Sequence, residues 1–143
     1  MPWVVDTSVL LDIRIGIPAN IAIRSAECLE THAHEGLVVC PITFIEMAPA
    51  FAGDFVAQRQ WLDDLGILSR EPWREEDTRS AHQFWHDLIQ RKRRGTGTKR
   101  PIADVLIAAF SRRFKGLITA NESDFTTVAP DLPLIVPSKQ KEA

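Results

Sequence analysis

Residues 4–12, VVDTSVLLD, place an aspartate directly after a short apolar run and follow it with two hydroxyl residues. The valines are typical of a buried strand, and the segment after Asp6 is typical of the beginning of a helix. A carboxylate at the end of a buried strand is costly unless a partner compensates its charge. Asp6, Thr7 or Ser8 could cap the helix, so this segment alone is compatible with a structural or a functional role.

Short apolar segments of this kind recur along the chain and alternate with segments whose apolar residues follow helical spacing. Strands that are apolar throughout and separated by helices are typical of a parallel sheet covered on both faces, so the sequence predicts an α/β fold. The predicted strands cover residues 3–5, 37–40, 116–119 and 132–136, with a short extended piece at 66–70. The predicted helices cover about 20–34, 55–65, 77–93 and 101–114, and another begins near Thr43.

The chain of 143 residues has an ordinary composition, with 45% hydrophobic and 25% charged residues. This length fits one domain, which we predict over residues 1–137 with a flexible tail at 138–143. No secretory signal is visible, nor any apolar run of the roughly 20 residues that a membrane helix needs. Cys28 and Cys40 lie outside any C-x-x-C motif and are predicted to be reduced thiols. We therefore expect a cytoplasmic protein.

The formal net charge of −2 argues against a general electrostatic attraction of the whole protein to nucleic acid. The charge is unevenly distributed, however, because residues 91–100, RKRRGTGTKR, contain six basic side chains and no acidic one. A local basic strip binds phosphates even on an acidic protein, since salt screens charges beyond about 10 Å. The same strip could instead be a solvated helix end, where cations interact favourably with the helix dipole.

Polar side chains that could bind a metal follow several predicted strands or begin predicted helices. They are Asp6 after the first strand, Glu46 in the first turn of the helix after the second strand, Asp104 near the start of the helix at Pro101, and Asn121 and Asp124 after the segment LIT. In a parallel α/β fold the carboxyl ends of the strands share one edge, where ligands bind. We therefore expect the four carboxylates to converge there.

Each of these residues also has a structural interpretation. Glu46 fits a capping box with Thr43, and Asp104 suits the positive end of its helix dipole. Asn121 and Asp124 fit a turn and a helix cap. Four converging carboxylates, however, repel one another and raise their pKa values, and a divalent cation such as Mg²⁺ or Mn²⁺ removes that conflict. An acidic metal cluster beside a basic strip is suited to phosphodiester hydrolysis, because the cation makes a bound water easier to deprotonate.

Four segments together resemble the PIN-domain ribonucleases, and most closely the VapC-type toxins of bacterial toxin–antitoxin pairs. These segments are VVDTSVLLD, PITFIEM, PIADVLIAAF and LITANESDF, which occur in the order and at spacings compatible with that family. The resemblance implies a compact three-layer α/β/α domain with a short, mostly parallel central sheet. It also implies a metal-dependent endoribonuclease that uses one or two Mg²⁺ or Mn²⁺ ions and leaves 5′-phosphate and 3′-hydroxyl ends.

The same resemblance implies a role for individual residues. The catalytic and metal-binding carboxylates would be Asp6, Glu46, Asp104 and Asp124. Thr7 or Ser8 would orient Asp6 or the attacking water. Asn121 matches a position at which the family has either an acid or an asparagine. Asp12 lies two turns beyond Asp6, and we expect it to face solvent outside the cluster.

The basic strip would supply non-specific contacts to the RNA backbone through Arg91, Lys92, Arg93, Arg94, Lys99 and Arg100. The resemblance further implies a homodimer and a cognate antitoxin that places a peptide across the acidic edge. Two alternatives are left open. One is a catalytically silent module that binds RNA or a protein through the same edge. The other is a receiver-like domain phosphorylated on Asp6, although the acidic pair near the first strand and the late lysine of such domains are missing.

Overall fold

The computed structural model describes residues 1–93 and 102–140, except for the side chains of residues 92 and 93. Within these residues, short parallel strands alternate with helices, none of which is both long and apolar enough to cross a membrane. The strands are β1 (Trp3–Val5), β2 (Leu37–Val38), β3 (Ile67–Leu68), β4 (Gly116–Ile118) and β5 (Leu134–Ile135). The helices are α1 (Thr7–Ile15), α2 (Ala19–His32), α3 (Pro41–Glu46), α4 (Phe55–Asp64), α5 (Glu75–Arg93), α6 (Ile102–Ser111) and α7 (Glu122–Val128).

The strands form one sheet in the order β3-β2-β1-β4-β5, and every neighbouring pair is parallel. In the central strand, Val4 pairs with Val38 on one side and with Leu117 on the other. The chain therefore adds β2 and β3 on one side of β1, crosses back, and adds β4 and β5 on the other side. The carboxyl ends of β1 and β4 flank this reversal, which is where open α/β sheets bind ligands.

Helices cover both faces of the sheet, so the domain has three layers. Successive side chains of a strand point to opposite faces. Val5 packs in an apolar cluster with side chains from α1, α2 and α4, whereas Val4 packs in a second cluster with side chains from α5, α6 and α7. Both valines are fully buried. The α/β fold with a parallel sheet and a three-layer architecture is therefore confirmed.

A buried ion pair joins the beginning of α5 to the turn after α6. Asp77 is fully buried, and Arg113 donates from Nε to its Oδ1 at 2.7 Å and from Nη2 to its Oδ2 at 2.9 Å. The guanidinium also donates to Glu71 Oε1 at 3.1 Å and lies over the ring of Phe110. The hydrogen bonds to Asp77 raise the pKa of Arg113. The Asp77 carboxylate also accepts from the backbone amide of Arg74, so it holds the beginning of α5 as well as its link to the turn after α6.

The described residues that follow β5 contact the beginning of α7. Residues Pro137–Lys139 form a 3₁₀ turn, and Lys139 Nζ donates to Glu122 Oε1 at 2.7 Å. The domain bounds of 1–137 and the flexibility of the tail at 138–143 stay predictions. Residues 141–143 of that tail lie outside the described residues.

The two cysteines are buried, unpaired thiols, in agreement with the sequence analysis. Burial raises the pKa of Cys28 to about 11 and that of Cys40 to about 12. Both thiols are therefore protonated at neutral pH and poor nucleophiles.

Candidate functional site

Asp6 lies immediately after β1, at the carboxyl edge of the sheet and next to the end of β4. Its backbone amide donates to the carbonyl oxygen of Ile118 at 2.9 Å, which holds the two strand ends side by side. Asp6 is only 3% exposed, because the apolar residues of β1 bring it into the edge of the core. The carboxylate is therefore buried at the point where the chain reverses across the sheet.

Two hydroxyl groups hold the Asp6 carboxylate. Ser8 Oγ donates to Oδ2 at 2.6 Å, and Thr119 Oγ1 donates to the same oxygen at 2.8 Å. Asp6 has the extended backbone of an N-cap residue, yet no contact between its side chain and α1 has the geometry of a full capping hydrogen bond. The side chain is therefore oriented mainly by hydroxyl groups from two separate segments, and the first backbone amides of α1, those of Thr7 and Ser8, add weaker hydrogen bonds to it.

The environment of Asp6 disfavours its charged form. Burial raises the pKa of the carboxyl group, and the hydrogen bonds from Ser8 and Thr119 counter only part of that effect. In the described part of the chain, no basic side chain pairs with Asp6. A buried carboxylate that has hydroxyl donors but no counter-charge has the properties expected of a cation ligand.

Glu46 is connected to the site through Thr7, although its place in α3 differs from the prediction. The helix begins at Pro41, so Glu46 is its last residue and does not lie in its first turn. Thr7 Oγ1 donates to Glu46 Oε1 at 2.6 Å and lies 3.1 Å from Thr43 Oγ1. Because Thr43 lies inside the helix, the alternative of a capping box with Glu46 is wrong. Thr7, the residue next to Asp6, orients Glu46 instead.

Asn121 joins the same network through its backbone. It occupies the N-cap position of α7 without a capping hydrogen bond from its side chain, and its amide donates to Thr119 Oγ1 at 3.0 Å. The preceding amide, of Ala120, donates to Ser8 Oγ at 3.1 Å. The hydroxyls of Ser8 and Thr119 therefore accept from the loop after β4 and donate to Asp6. The side chain of Asn121 is exposed at this edge.

Asp104 and Asp124 lie in the first turns of α6 and α7, which pack against each other. Both residues are half-buried. Within residues 1–93 and 102–140, no group of three or more Asp, Glu, His or Cys side chains is arranged to hold a metal ion. The convergence of all four carboxylates around a cation therefore stays a prediction, whereas Asp6, Glu46 and Asn121 belong to one network of hydrogen bonds and adjacent residues.

Asp12 lies outside this network, as expected, but it is half-buried rather than fully solvent-facing. It lines a small cavity with Arg24, Ser25 and Ala120, between α1, α2 and the loop after β4. Burial raises the pKa of its carboxyl group. Asp12 thus belongs to a separate cavity beside the site.

Arg91 is the one residue of the predicted RNA-contacting strip whose side chain is described. Its Nη2 donates to the carbonyl oxygen of Thr127 at 2.6 Å, which ties α5 to α7. Lys92 and Arg93 belong to α5, but their side chains lie outside the described part of the chain, as do residues Arg94, Lys99 and Arg100 entirely. Contact between this strip and RNA therefore stays a prediction.

Thr119 belongs to the site, although it was not among the residues predicted from the sequence. It is fully buried at the end of the apolar segment GLIT, directly after β4. A polar residue at the carboxyl end of a buried strand is the signal that identified Asp6. The same signal, applied to the hydroxyl residue after Ile118, would have identified Thr119.

Comparison with solved structures identifies a chain of similar fold in the structure of FitAB bound to the IR36 DNA fragment. The TM-score is 0.69 at 19% sequence identity, and the alignment covers 97% of each chain. The two chains therefore share a fold over almost their whole length. No protein-family model and no curated protein matches the sequence.

Proposed function

We propose that this protein is a Mg²⁺- or Mn²⁺-dependent endoribonuclease, which hydrolyses RNA phosphodiester bonds with a metal-activated water. The observation that carries the proposal is the buried carboxylate of Asp6, which two hydroxyl groups orient and no described basic side chain neutralises. Such a group is costly to the fold, and a cation would remove that cost. Its position beside the chain reversal is also where α/β sheets bind ligands.

Asp6 would be the central metal ligand, and Glu46, Asp104 and Asp124 would complete the acidic set directly or through water. Mg²⁺ usually keeps several waters and takes only one or two carboxylates directly, so a site centred on Asp6 does not require three protein carboxylates. One or two bound ions would lower the pKa of a water and neutralise negative charge on the scissile phosphate. Asn121 would add a neutral oxygen ligand or a hydrogen bond.

The hydroxyl residues of the site would orient the acids around this centre. Thr7 restrains Glu46 by donating to Oε1, and Ser8 restrains Asp6 by donating to Oδ2. Orientation of a ligand before the cation arrives lowers the cost of assembling the site. The RNA backbone would be held by the basic strip at residues 91–100, with an affinity that falls as the salt concentration rises.

We also propose that the protein is a homodimer and acts as the toxin of a cytoplasmic toxin–antitoxin pair. The resemblance of four sequence segments to VapC-type toxins supports this role. The fold shared with a chain of the FitAB assembly, which was solved on DNA, is compatible with a nucleic-acid-associated complex of this kind. The cognate antitoxin would place a peptide across the edge that carries Asp6.

RNA cleavage by the purified protein, freed of any partner, tests the nuclease directly. We expect cleavage of structured RNA that requires Mg²⁺ or Mn²⁺, stops with EDTA and leaves 5′-phosphate ends. Hydrogen-bonding partners of metal ligands are alone worth about 10–100-fold, so Asp6→Asn is expected to lower the rate by more than ~100-fold. Gel electrophoresis of end-labelled RNA measures both effects.

Asp63→Asn is a matched control, since it removes one exposed carboxylate near the end of α4. The end of α4 leads into the beginning of β3, so Asp63 lies towards the edge of the sheet opposite to Asp6. This variant should cleave like the wild type. Cleavage that survives EDTA or the Asp6→Asn change would contradict the mechanism. A protein that cleaves no RNA and binds no metal by calorimetry would instead be a catalytically silent binding module. Phosphorylation of Asp6 by acetyl phosphate would support a receiver-like domain.

A further inference from the structure

The hydroxyl group of Thr119 lies between the two segments that carry candidate metal ligands. It donates to Asp6 Oδ2 at 2.8 Å and accepts from the backbone amide of Asn121 at 3.0 Å. A hydroxyl has one proton and two lone pairs, so it can serve both partners at the same time. Thr119 is fully buried, so water does not compete with either of these hydrogen bonds.

We infer that Thr119 is a positioning residue that orients the Asp6 carboxylate toward the cation, an inference that rests on the proposed function. Both side-chain hydrogen bonds to Asp6 end on Oδ2, and no described side chain donates to Oδ1. These two bonds fix the rotation of the carboxylate, to which the backbone amides of Thr7 and Ser8 also hydrogen-bond, and they leave Oδ1 without a described side-chain donor. A rotation of the carboxylate would break the hydrogen bonds from Thr119 and Ser8 together. Hydrogen bonds of this kind fix the orientation and basicity of ligating carboxylates.

Thr119 also sets the separation between the end of β1 and the start of α7. The amide that donates to Thr119 belongs to Asn121, the N-cap residue of α7, and Asp124 lies in the first turn of that helix. Loss of the hydroxyl would therefore loosen Asp6 and leave the Asn121 amide without its partner. Both changes would weaken metal binding before any RNA is involved.

Mn²⁺ binding to the full-length protein, measured by isothermal titration calorimetry without RNA, tests this role. Thr119→Val removes the hydroxyl at nearly constant volume, and we expect at least a ~10-fold weaker affinity. Thr119→Ser restores the hydroxyl and should recover nearly wild-type affinity, an outcome that a purely steric role would not produce. Thermal unfolding in EDTA checks that each variant is folded, and Thr119→Ala, which also removes the hydroxyl, replaces the valine variant if that one does not fold.

Two further variants separate this inference from the proposed function. Ser111→Ala removes a buried hydroxyl that donates to the carbonyl oxygen of Ile107 within α6, and it should leave Mn²⁺ affinity unchanged. Asp6→Asn should abolish binding at the site. Wild-type Mn²⁺ affinity in Asp6→Asn would overturn the proposed metal site itself. Loss of binding in Asp6→Asn together with wild-type affinity in Thr119→Val would overturn only the positioning role.

Discussion

Asp6 occupies the N-cap position of α1 but directs its carboxylate to the hydroxyls of Ser8 and Thr119. A cap bonded to the helix backbone would stabilise α1, whereas this arrangement leaves a buried carboxylate whose pKa is raised by burial. The hydroxyls offset part of the desolvation without supplying a positive charge. In the absence of a cation, Asp6 is therefore expected to lower the stability of the fold.

We predict that Asp6→Asn is more stable than the wild type at neutral pH in EDTA. Because burial raises the pKa above its ordinary value of 3.8, the folded protein binds this proton more tightly than the unfolded chain. The stability contributed by the group is therefore complete below the unfolded pKa and is lost as the pH rises through the folded pKa. Asparagine avoids that loss, so its Tm should be a few degrees higher at neutral pH.

Calorimetric unfolding of both proteins across acidic and neutral pH measures this effect. The difference in Tm should shrink towards zero as the pH falls below 3.8, where the carboxyl is protonated in both states. The exposed Asp63→Asn change controls for the removal of one negative charge. A lower Tm for Asp6→Asn at neutral pH would mean that the carboxylate is stabilising.

The residues of the site differ in how well the sequence predicted them. Asp6 was predictable because a charged residue directly follows a buried apolar run. Thr119 also follows a buried apolar run. A single hydroxyl residue there predicts contact with Asp6 only if β4 is known to pair with β1. Glu46 was predicted at the edge, but its link through Thr7 depends on how α1 packs against α3.

Among the helices, α5 has a strong apolar periodicity, which predicts its bounds closely: the sequence predicts a helix over 77–93, and the observed helix covers Glu75–Arg93. The beginning of α3 was misplaced because Pro41 starts the helix, whereas the hydroxyl of Thr43 was the apparent signal. The ion pair of Asp77 with Arg113 was not predicted, since the two residues are far apart in sequence. It determines how α5 and α6 are joined.

We predict that Arg113→Met destabilises the protein by about 3 kcal/mol, because it leaves the buried Asp77 carboxylate without its bidentate partner. Urea unfolding followed by circular dichroism measures the change. Arg74→Met is the matched control, since it breaks only pairs with Glu71 and Glu76 in which Arg74 is 55% exposed. That change should cost less than ~1 kcal/mol, and an equal cost for both variants would show that burial does not strengthen the Arg113 pair.

For the whole molecule, alternating apolar strands and helices predicted an α/β fold with a parallel sheet, and this is the observed class. The strand order β3-β2-β1-β4-β5 was not predictable, because it depends on pairing between distant segments. The parallel arrangement also explains why acids from remote segments were expected at one edge. Their final separation depends on the packing of α6 against α7, which local patterns do not encode.

The surface of the molecule also carries large aliphatic side chains that the fold leaves uncovered. Ile17 is 81% and Ile23 57% exposed near the connection of α1 to α2, and Ile45 is 67% and Val56 76% exposed on α3 and α4. Contiguous patches of exposed apolar side chains, rather than single ones, are typical of surfaces that contact other proteins. The proposed subunit and antitoxin partners would lower the exposure of such side chains on binding.

We predict that expression of this protein alone in a bacterial host arrests growth, and that co-expression of its cognate antitoxin relieves the arrest. The physical reason is that a peptide across the edge of Asp6 would exclude both the cation and RNA. Growth curves after induction measure the effect, with Asp63→Asn expected to arrest growth like the wild type. Asp6→Asn should be harmless, and immunoblotting of both proteins shows whether degradation explains that result. Growth arrest by Asp6→Asn at equal protein levels would show that the proposed nuclease activity does not cause the toxicity.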